Sequence, residues 1–323
     1  ASSVDLTWST FINNVGSGYG GGLRLTSGSA WGTADSLSFV GNSATYGAGF
    51  ASDASGTLTT SCNFTSNTAN QGGGILTASD VSDSAGCTFH MNQATGDGGA
   101  VQVAVASGSF NSTGGSFRQN SAGASGGAIA MAAGSLALSS CTFVENNGTV
   151  DGGAVYATSV VTWTLADALH FEGNSAVYGG GLYTLASMTL TTSCNFTNNT
   201  AGDGGALLIA SAASVTDAAG CNFQMNQASV NGGAVNIPVG CAFNSTGGTF
   251  TQNSATLGGA VYVAQGSFAS SSCAFSQNSA SGSGGAIAAE AGGSVADTGS
   301  SFTSNSAADG GGISINASSV DLT

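Results

Sequence analysis

A Phe-x-x-Asn motif, followed eight or nine positions after the Phe by a cluster of the type Gly-Gly-(Ala/Gly)-apolar, recurs twelve times along this chain. That periodicity leaves few folds open. The Phe positions are Phe11, Phe39, Phe64, Phe89, Phe117, Phe143, Phe171, Phe196, Phe223, Phe250, Phe275 and Phe302, each with an Asn three positions on, and the interval from one Phe to the next is nearly constant. A fixed period of that length suits one supersecondary unit per repeat, each stacked on its neighbours. Such a stack has no natural size limit, so a single continuous domain over residues 1–323 is expected.

Within a repeat, Gly at a fixed place marks a bend that needs positive φ or close backbone approach. The runs that follow it, such as Ala100-Val101-Gln102-Val103 and Ala260-Val261-Tyr262-Val263, alternate with period two and read as strands. A second alternating run precedes each Phe; in Leu58-Thr59-Thr60-Ser61-Cys62-Asn63-Phe64 it puts Cys62 and Phe64 on one face and Asn63 on the other. Short strands, sharp corners and no helical pattern predict an all-β fold, a right-handed parallel β-helix of about twelve coils with roughly three strands per coil. Coils spaced at about 4.8 Å would stack the Phe side chains into an interior ladder, with an Asn ladder at the corner.

The composition agrees. Fifty-three Gly with one Pro and only 6% charged residues exclude collagen and coiled coil, and 41% apolar residues can fill a core. The net charge is −14, with no Lys and only Arg24 and Arg118 as cations, so there is no basic footprint for phosphates and nucleic acid is not an expected partner. No run approaches the roughly 20 apolar residues of a membrane helix, and none of the sequence reads as a signal peptide, so a mature or internal segment is expected.

Longer repeats are superposed on the coil. Residues 59–65 and 191–197 share Thr-Thr-Ser-Cys-Asn-Phe-Thr, and Phe110-Asn111-Ser112-Thr113-Gly114-Gly115 returns at Phe243-Asn244-Ser245-Thr246-Gly247-Gly248. Trp31 and Trp163 show nearly the same displacement, which marks a five-coil duplication, about 32–163 and 164–296. The heptad Ala-Ser-Ser-Val-Asp-Leu-Thr occurs at residues 1–7 and again at 317–323, and overlapping the copies would place the next Phe after Phe302 at the ordinary coil interval. The chain is read as one slightly overlapped period of a longer array or of a fibre with identical joints.

Few residues invite chemistry. Six of seven Cys lie two positions before a ladder Phe and face inward; Cys62 with Cys87, and Cys194 with Cys221, occupy equivalent places on adjacent coils, as bridged pairs or as a stack of buried free thiols. His90 and His170 face outward with no nucleophile at motif spacing. Asp97, Asp151, Asp203 and Asp309 share one row but not adjacent coils, too sparse for calcium. No catalytic residue, metal site or cofactor is assigned. Seven Asn-x-Ser/Thr sequons, at Asn63, Asn111, Asn147, Asn195, Asn198, Asn244 and Asn316, are candidate glycosylation sites and with the Cys fit a secretory route. Tyr156, Tyr183 and Tyr262 have outward parity and are expected on the surface.

The pairing of Phe117-Arg118-Gln119-Asn120 with Gly126-Gly127-Ala128-Ile129 resembles the repeat of chlamydial polymorphic outer-membrane proteins and related β-helix repeats of algae and other protists, and the likeness extends over all twelve coils. The resemblance implies a right-handed parallel β-helix at a cell surface and carries no catalytic residues over; the bacterial family's carboxy-terminal barrel is not in this segment. The expected function is a secreted, glycosylated structural protein that forms an extracellular filament or surface fibre, such as a flagellar hair, by end-to-end stacking with itself. The alternative is a cell-surface adhesin or autotransporter-like passenger binding another cell or a glycan. No enzymatic activity is expected.

Overall fold

The computed structural model describes residues 3–316 and 319–323, and among them contains strands and no helix. The protein divides into two compact units, Ala1–Thr164 and Leu165–Thr323. Each carries six of the ladder Phe, and coils are numbered 1 to 12 by those Phe. The parallel β-solenoid of about twelve turns expected from the repeat is the fold observed.

Coil 4 shows how the first unit is built. Its Phe strand, Thr88–His90, pairs in parallel with Asn63–Thr65 on one side and Ser116–Arg118 on the other, so Phe89 is in register with Phe64 and Phe117. The strand after the glycines, Val101–Val103, pairs with Ile75–Thr77 and Ile129–Met131. The strand before the Phe, Val81–Asp83, pairs with Gly56–Leu58 and Ser109–Thr113. A fourth, very short strand, Gln93–Ala94, is added at the corner in this region. Coil 9 repeats the plan in the second unit, with Asn222–Gln224, Val235–Ile237 and Ser214–Asp217 each paired to the coils before and after.

The sequence dictates what fills the interior. Ladder rings stack with centroids 4.7 to 4.9 Å apart in both units, and the ladder from Phe39 to Phe275 is fully enclosed. That spacing is the interstrand distance of a β-sheet, so the ring stack follows directly from the in-register pairing. Alternating Val, Ile and Leu from the post-glycine strands close the core from the other side.

The Asn of each motif is inside as well. Asn120 donates from its backbone N and from Nδ2 to Asn146 Oδ1 and from Nδ2 to Phe89 O, and its own Oδ1 accepts from Asn92 N and Nδ2, all at 3.0 Å. The same pattern links Asn199, Asn226, Asn253 and Asn278 in the second unit. Full enclosure of an amide is tolerable because its donors and acceptor are all used.

The residue just before each Asn adopts a left-handed conformation in all twelve coils: Gly41 and Gly173 do so in coils 2 and 7, whereas Met91, Gln119, Glu145 and Gln252 sit at φ of 55°, 52°, 55° and 56°. This reversal turns the neighbouring Asn inward. Non-glycine residues pay roughly 1 kcal/mol or more for that region. Gln252 is exposed, and its backbone N–H donates to Ser276 O, a bond that glycine can make equally well. Gln252→Gly is therefore expected to stabilise the protein by about 1 kcal/mol, read as a higher urea midpoint.

The heptad that occurs twice forms a strand each time, Ser3–Thr7 and Ser319–Leu322. Its first two residues, Ala1-Ser2 and Ala317-Ser318, lie outside the described residues.

Candidate functional surfaces

The sequons fall on several elements: Asn63 and Asn195 on the Phe strands, Asn111 and Asn244 on the strands before them, Asn147 and Asn198 just after the Phe, and Asn316 after the post-glycine strand. Asn147, Asn195, Asn198, Asn244 and Asn316 are exposed, whereas Asn63 and Asn111 are half-buried. Asn63 Oδ1 accepts from Thr65 Oγ1 at 2.7 Å, and Asn111 Nδ2 reaches Ser82 Oγ at 3.4 Å. Ser318, which completes the Asn316 sequon, is outside the described residues.

All seven Cys are buried and free. Cys62 and Cys194 donate their backbone N–H to Cys87 Sγ and Cys221 Sγ, each at 3.3 Å, so both candidate pairs stand as stacked thiols. A hydrogen bond to the sulfur of the preceding coil, reinforced by burial, pushes Cys87 and Cys221 far above the ordinary thiol range. All four of these thiols are core residues, Cys62 and Cys194 being shifted the opposite way by the same sulfur contact.

Next to them lies a feature that parity alone did not reveal. Asp83 is buried, and its carboxylate accepts from Cys87 N at 2.9 Å, Ala85 N at 3.2 Å and Ser112 Oγ at 2.8 Å. Asp217 repeats this with Cys221 N, Ala219 N and Ser245 Oγ. Each carboxylate closes the corner between the strand that precedes the Phe and the strand that carries it. The available signal was that Asp83 and Asp217, each four positions before a Cys, stand at equivalent places in the five-coil duplication.

Of the outward polar residues, His90 Nε2 meets Gln119 Oε1 at 3.0 Å and His170 Nε2 meets Glu172 Oε2 at 3.1 Å. Arg24 pairs with Asp53 and lies over the Tyr19 ring, 4.3 Å from its centroid. In the aspartate row, Ser125 donates its backbone N–H to Asp97 at 3.0 Å and its Oγ–H to Asp151 at 3.2 Å. Burial raises the Asp151 carboxyl, with the nearby Asp97 charge acting in the same direction and Ser125 opposing both. Among the described residues, no group of three or more His, Cys, Asp and Glu is placed to hold a metal ion, and no helix is long and apolar enough to cross a membrane.

The tyrosines depart from expectation. Tyr262 is only 7% exposed, and Tyr156 and Tyr183 are half-buried. Parity does turn them away from the core, but the residues preceding the Gly clusters fold over that side of the strand. In the second unit a cleft of about 90 Å³ is lined by the pre-glycine residues Leu257 and Ser283 together with Tyr262, Ala288 and Glu290. Burial, together with a hydrogen bond to Glu290, pushes the Tyr262 hydroxyl well above its usual range.

With both halves of the motif placed in three dimensions, the comparison with known families becomes specific. Residues 193–210 and 272–290 match the Chlamydia polymorphic membrane protein repeat. Each matched stretch runs from the Cys before a ladder Phe, through the buried Asn, to the strand after the glycines: Phe196 to Ile209 in coil 8 and Phe275 to Ala289 in coil 11. The matched unit is thus one face, one corner and the next face of a coil. The protein is a parallel β-helix bearing repeats similar to those of a surface-associated membrane-protein family. No curated protein and no solved structure matches it.

Proposed function

We propose that this protein is the repeating body of an extracellular fibre, in which coils stack head to tail from one period into the next and glycans decorate the outside. The role is structural and not enzymatic. One observation carries the reading. The twice-occurring heptad uses opposite edges in its two copies: Ser3–Thr7 pairs with Ala30–Asp35 of the coil that follows it, whereas Ser319–Leu322 pairs with Ser294–Thr298 of the coil that precedes it. Val4 meets Trp31 in one copy, and the equivalent Val320 meets Val295 in the other. A single strand of this sequence can therefore be paired on both sides at once, which is what a period joined through the heptad requires. The five exposed sequons support a glycan coat.

The match to a membrane-protein repeat supports a second reading, a cell-surface stalk or adhesin passenger that presents a binding element away from the membrane. Electron microscopy of the native material separates the two. Twelve coils per period at about 4.8 Å predict an axial repeat of roughly 58 Å along a continuous fibre. Isolated short rods, or a fibre of unrelated period, would replace the fibre reading with the stalk.

A further inference from the structure

One coil before Leu257 and Tyr262, at the register positions that pair with them, Asn231 and Asn236 mark a place where polar atoms are stranded. Asn236 lies between Val235 and Ile237, both fully enclosed in the core, so its side chain is directed to the opposite face; it is 6% exposed. Across the glycine bend, Asp203 and Asn231 are register partners on adjacent coils. The bend is tight: a Cβ on Gly232 would lie 2.9 Å from Asn236 N, which holds residue 231 against residue 236. Asp203 Oδ1, Asn231 Oδ1 and Asn236 Oδ1 are all closed off from solvent, and none has a hydrogen-bond partner among the described residues.

Enclosed acceptors without donors are rare because nothing replaces their lost hydration. Here three occur together, all oxygens and one of them a carboxylate. A sugar hydroxyl would bring its carbon skeleton into a space that excludes even water. A bare calcium-sized ion binds oxygen at about 2.3–2.6 Å, closer than a water molecule approaches. We propose that Asp203, Asn231 and Asn236 form a binding site for a calcium-sized divalent cation, completed by backbone carbonyls of the same coils.

The five-coil duplication provides an internal comparison. Asp97 and Gln102 stand in the first copy where Asn231 and Asn236 stand in the second, and Gln102 Oε1 is likewise without a partner. Asp97, however, already accepts from Ser125 N, and Gln71 stands where Asp203 does. One ion per protein molecule is therefore expected.

Terbium, a luminescent ion of calcium's size, tests this with the full-length protein, using tyrosine excitation because Tyr262 pairs in register with Asn236. The expected result is saturable emission at one ion per molecule, displaced by calcium with a Kd of about 0.1–1 mM and only weakly by magnesium. Asp203→Asn should weaken binding by on the order of tenfold or more, and Asn236→Asp, which adds a second carboxylate, should tighten it. Circular dichroism establishes that both variants are folded. No saturable binding by the wild type would overturn the site and would mean that the Asn231 amide turns to donate to Asp203. Several ions per molecule, insensitive to both substitutions, would equally overturn it in favour of diffuse binding to an acidic surface.

Discussion

Asn120→Leu is expected to destabilise the first unit by on the order of 3–5 kcal/mol, although the substitution is nearly isosteric and adds apolar surface to a buried position. Leu removes the acceptor of Asn92 N and of one Asn92 Nδ2 hydrogen, and the amide donor to Phe89 O and to Asn146 Oδ1. Asn92 N and one Asn92 Nδ2 hydrogen on the preceding coil are then left enclosed without their acceptor, each costing about 1–3 kcal/mol, while Asn146 Oδ1 keeps only the backbone N–H of residue 120. The apolar gain from one Leu does not offset that. Equilibrium urea unfolding measures the effect, with Asn195→Ala as the comparison: Asn195 is exposed and outside the ladder, so its removal should change stability by less than about 0.5 kcal/mol. Equal effects at the two sites would show that the ladder contributes nothing beyond its bulk.

Gly127→Ala should be more damaging still, with a loss above about 4 kcal/mol or no soluble product. A Cβ at this position would lie 2.1 Å from Gly153 O and 2.6 Å from both the carbonyl carbon and the backbone nitrogen of Asn147, so it strikes two separate parts of the next coil, all backbone. No flexible group is there to move aside; the coil spacing itself has to open, and every ladder passing through that point opens with it. Gly114→Ala provides the contrast. Gly114 is left-handed, at φ 71°, but a Cβ there meets only Gly86 Cα at 3.7 Å, so the expected cost is the conformational term alone, about 1–2 kcal/mol. Comparable losses for the two would mean that close coil contact costs no more than a disfavoured dihedral angle, and the steric account of Gly127 would fail.

The β-helix could be read from the sequence because its main determinants repeat in kind. The ladder from Phe39 to Phe275 and its Asn partners keep the same residue in every coil, and a ladder needs identity at one register position. The left-handed residue before each Asn was not legible. Besides Asn and Gly it is Ser in coils 3 and 12, Met in coils 4 and 9, Gln in coils 5, 10 and 11 and Glu in coil 6, residues without a common preference for positive φ; the tertiary ladder imposes the conformation and local propensity gives way. The cleft escaped for a different reason. Alternation tells which side of a strand Tyr262 or Asn236 occupies, but not that residues five positions earlier fold across that side and close it. The inward carboxylates of Asp83 and Asp217 belong with these, since an Asp on a strand reads as solvent-facing unless its Ser and backbone donors are known.

The asparagine ladder also has an arrow. In every described Asn-to-Asn link the backbone N–H and one Nδ2–H point toward the following coil and Oδ1 toward the preceding one. A coil inverted end for end would bring donors against donors or acceptors against acceptors. The amide dipoles within a unit therefore add instead of cancelling, and each bond polarises the next. A partner continuing the stack would have to arrive in one sense only, so the joint of the proposed fibre would be heterologous, open-ended and incapable of closing as a two-fold dimer.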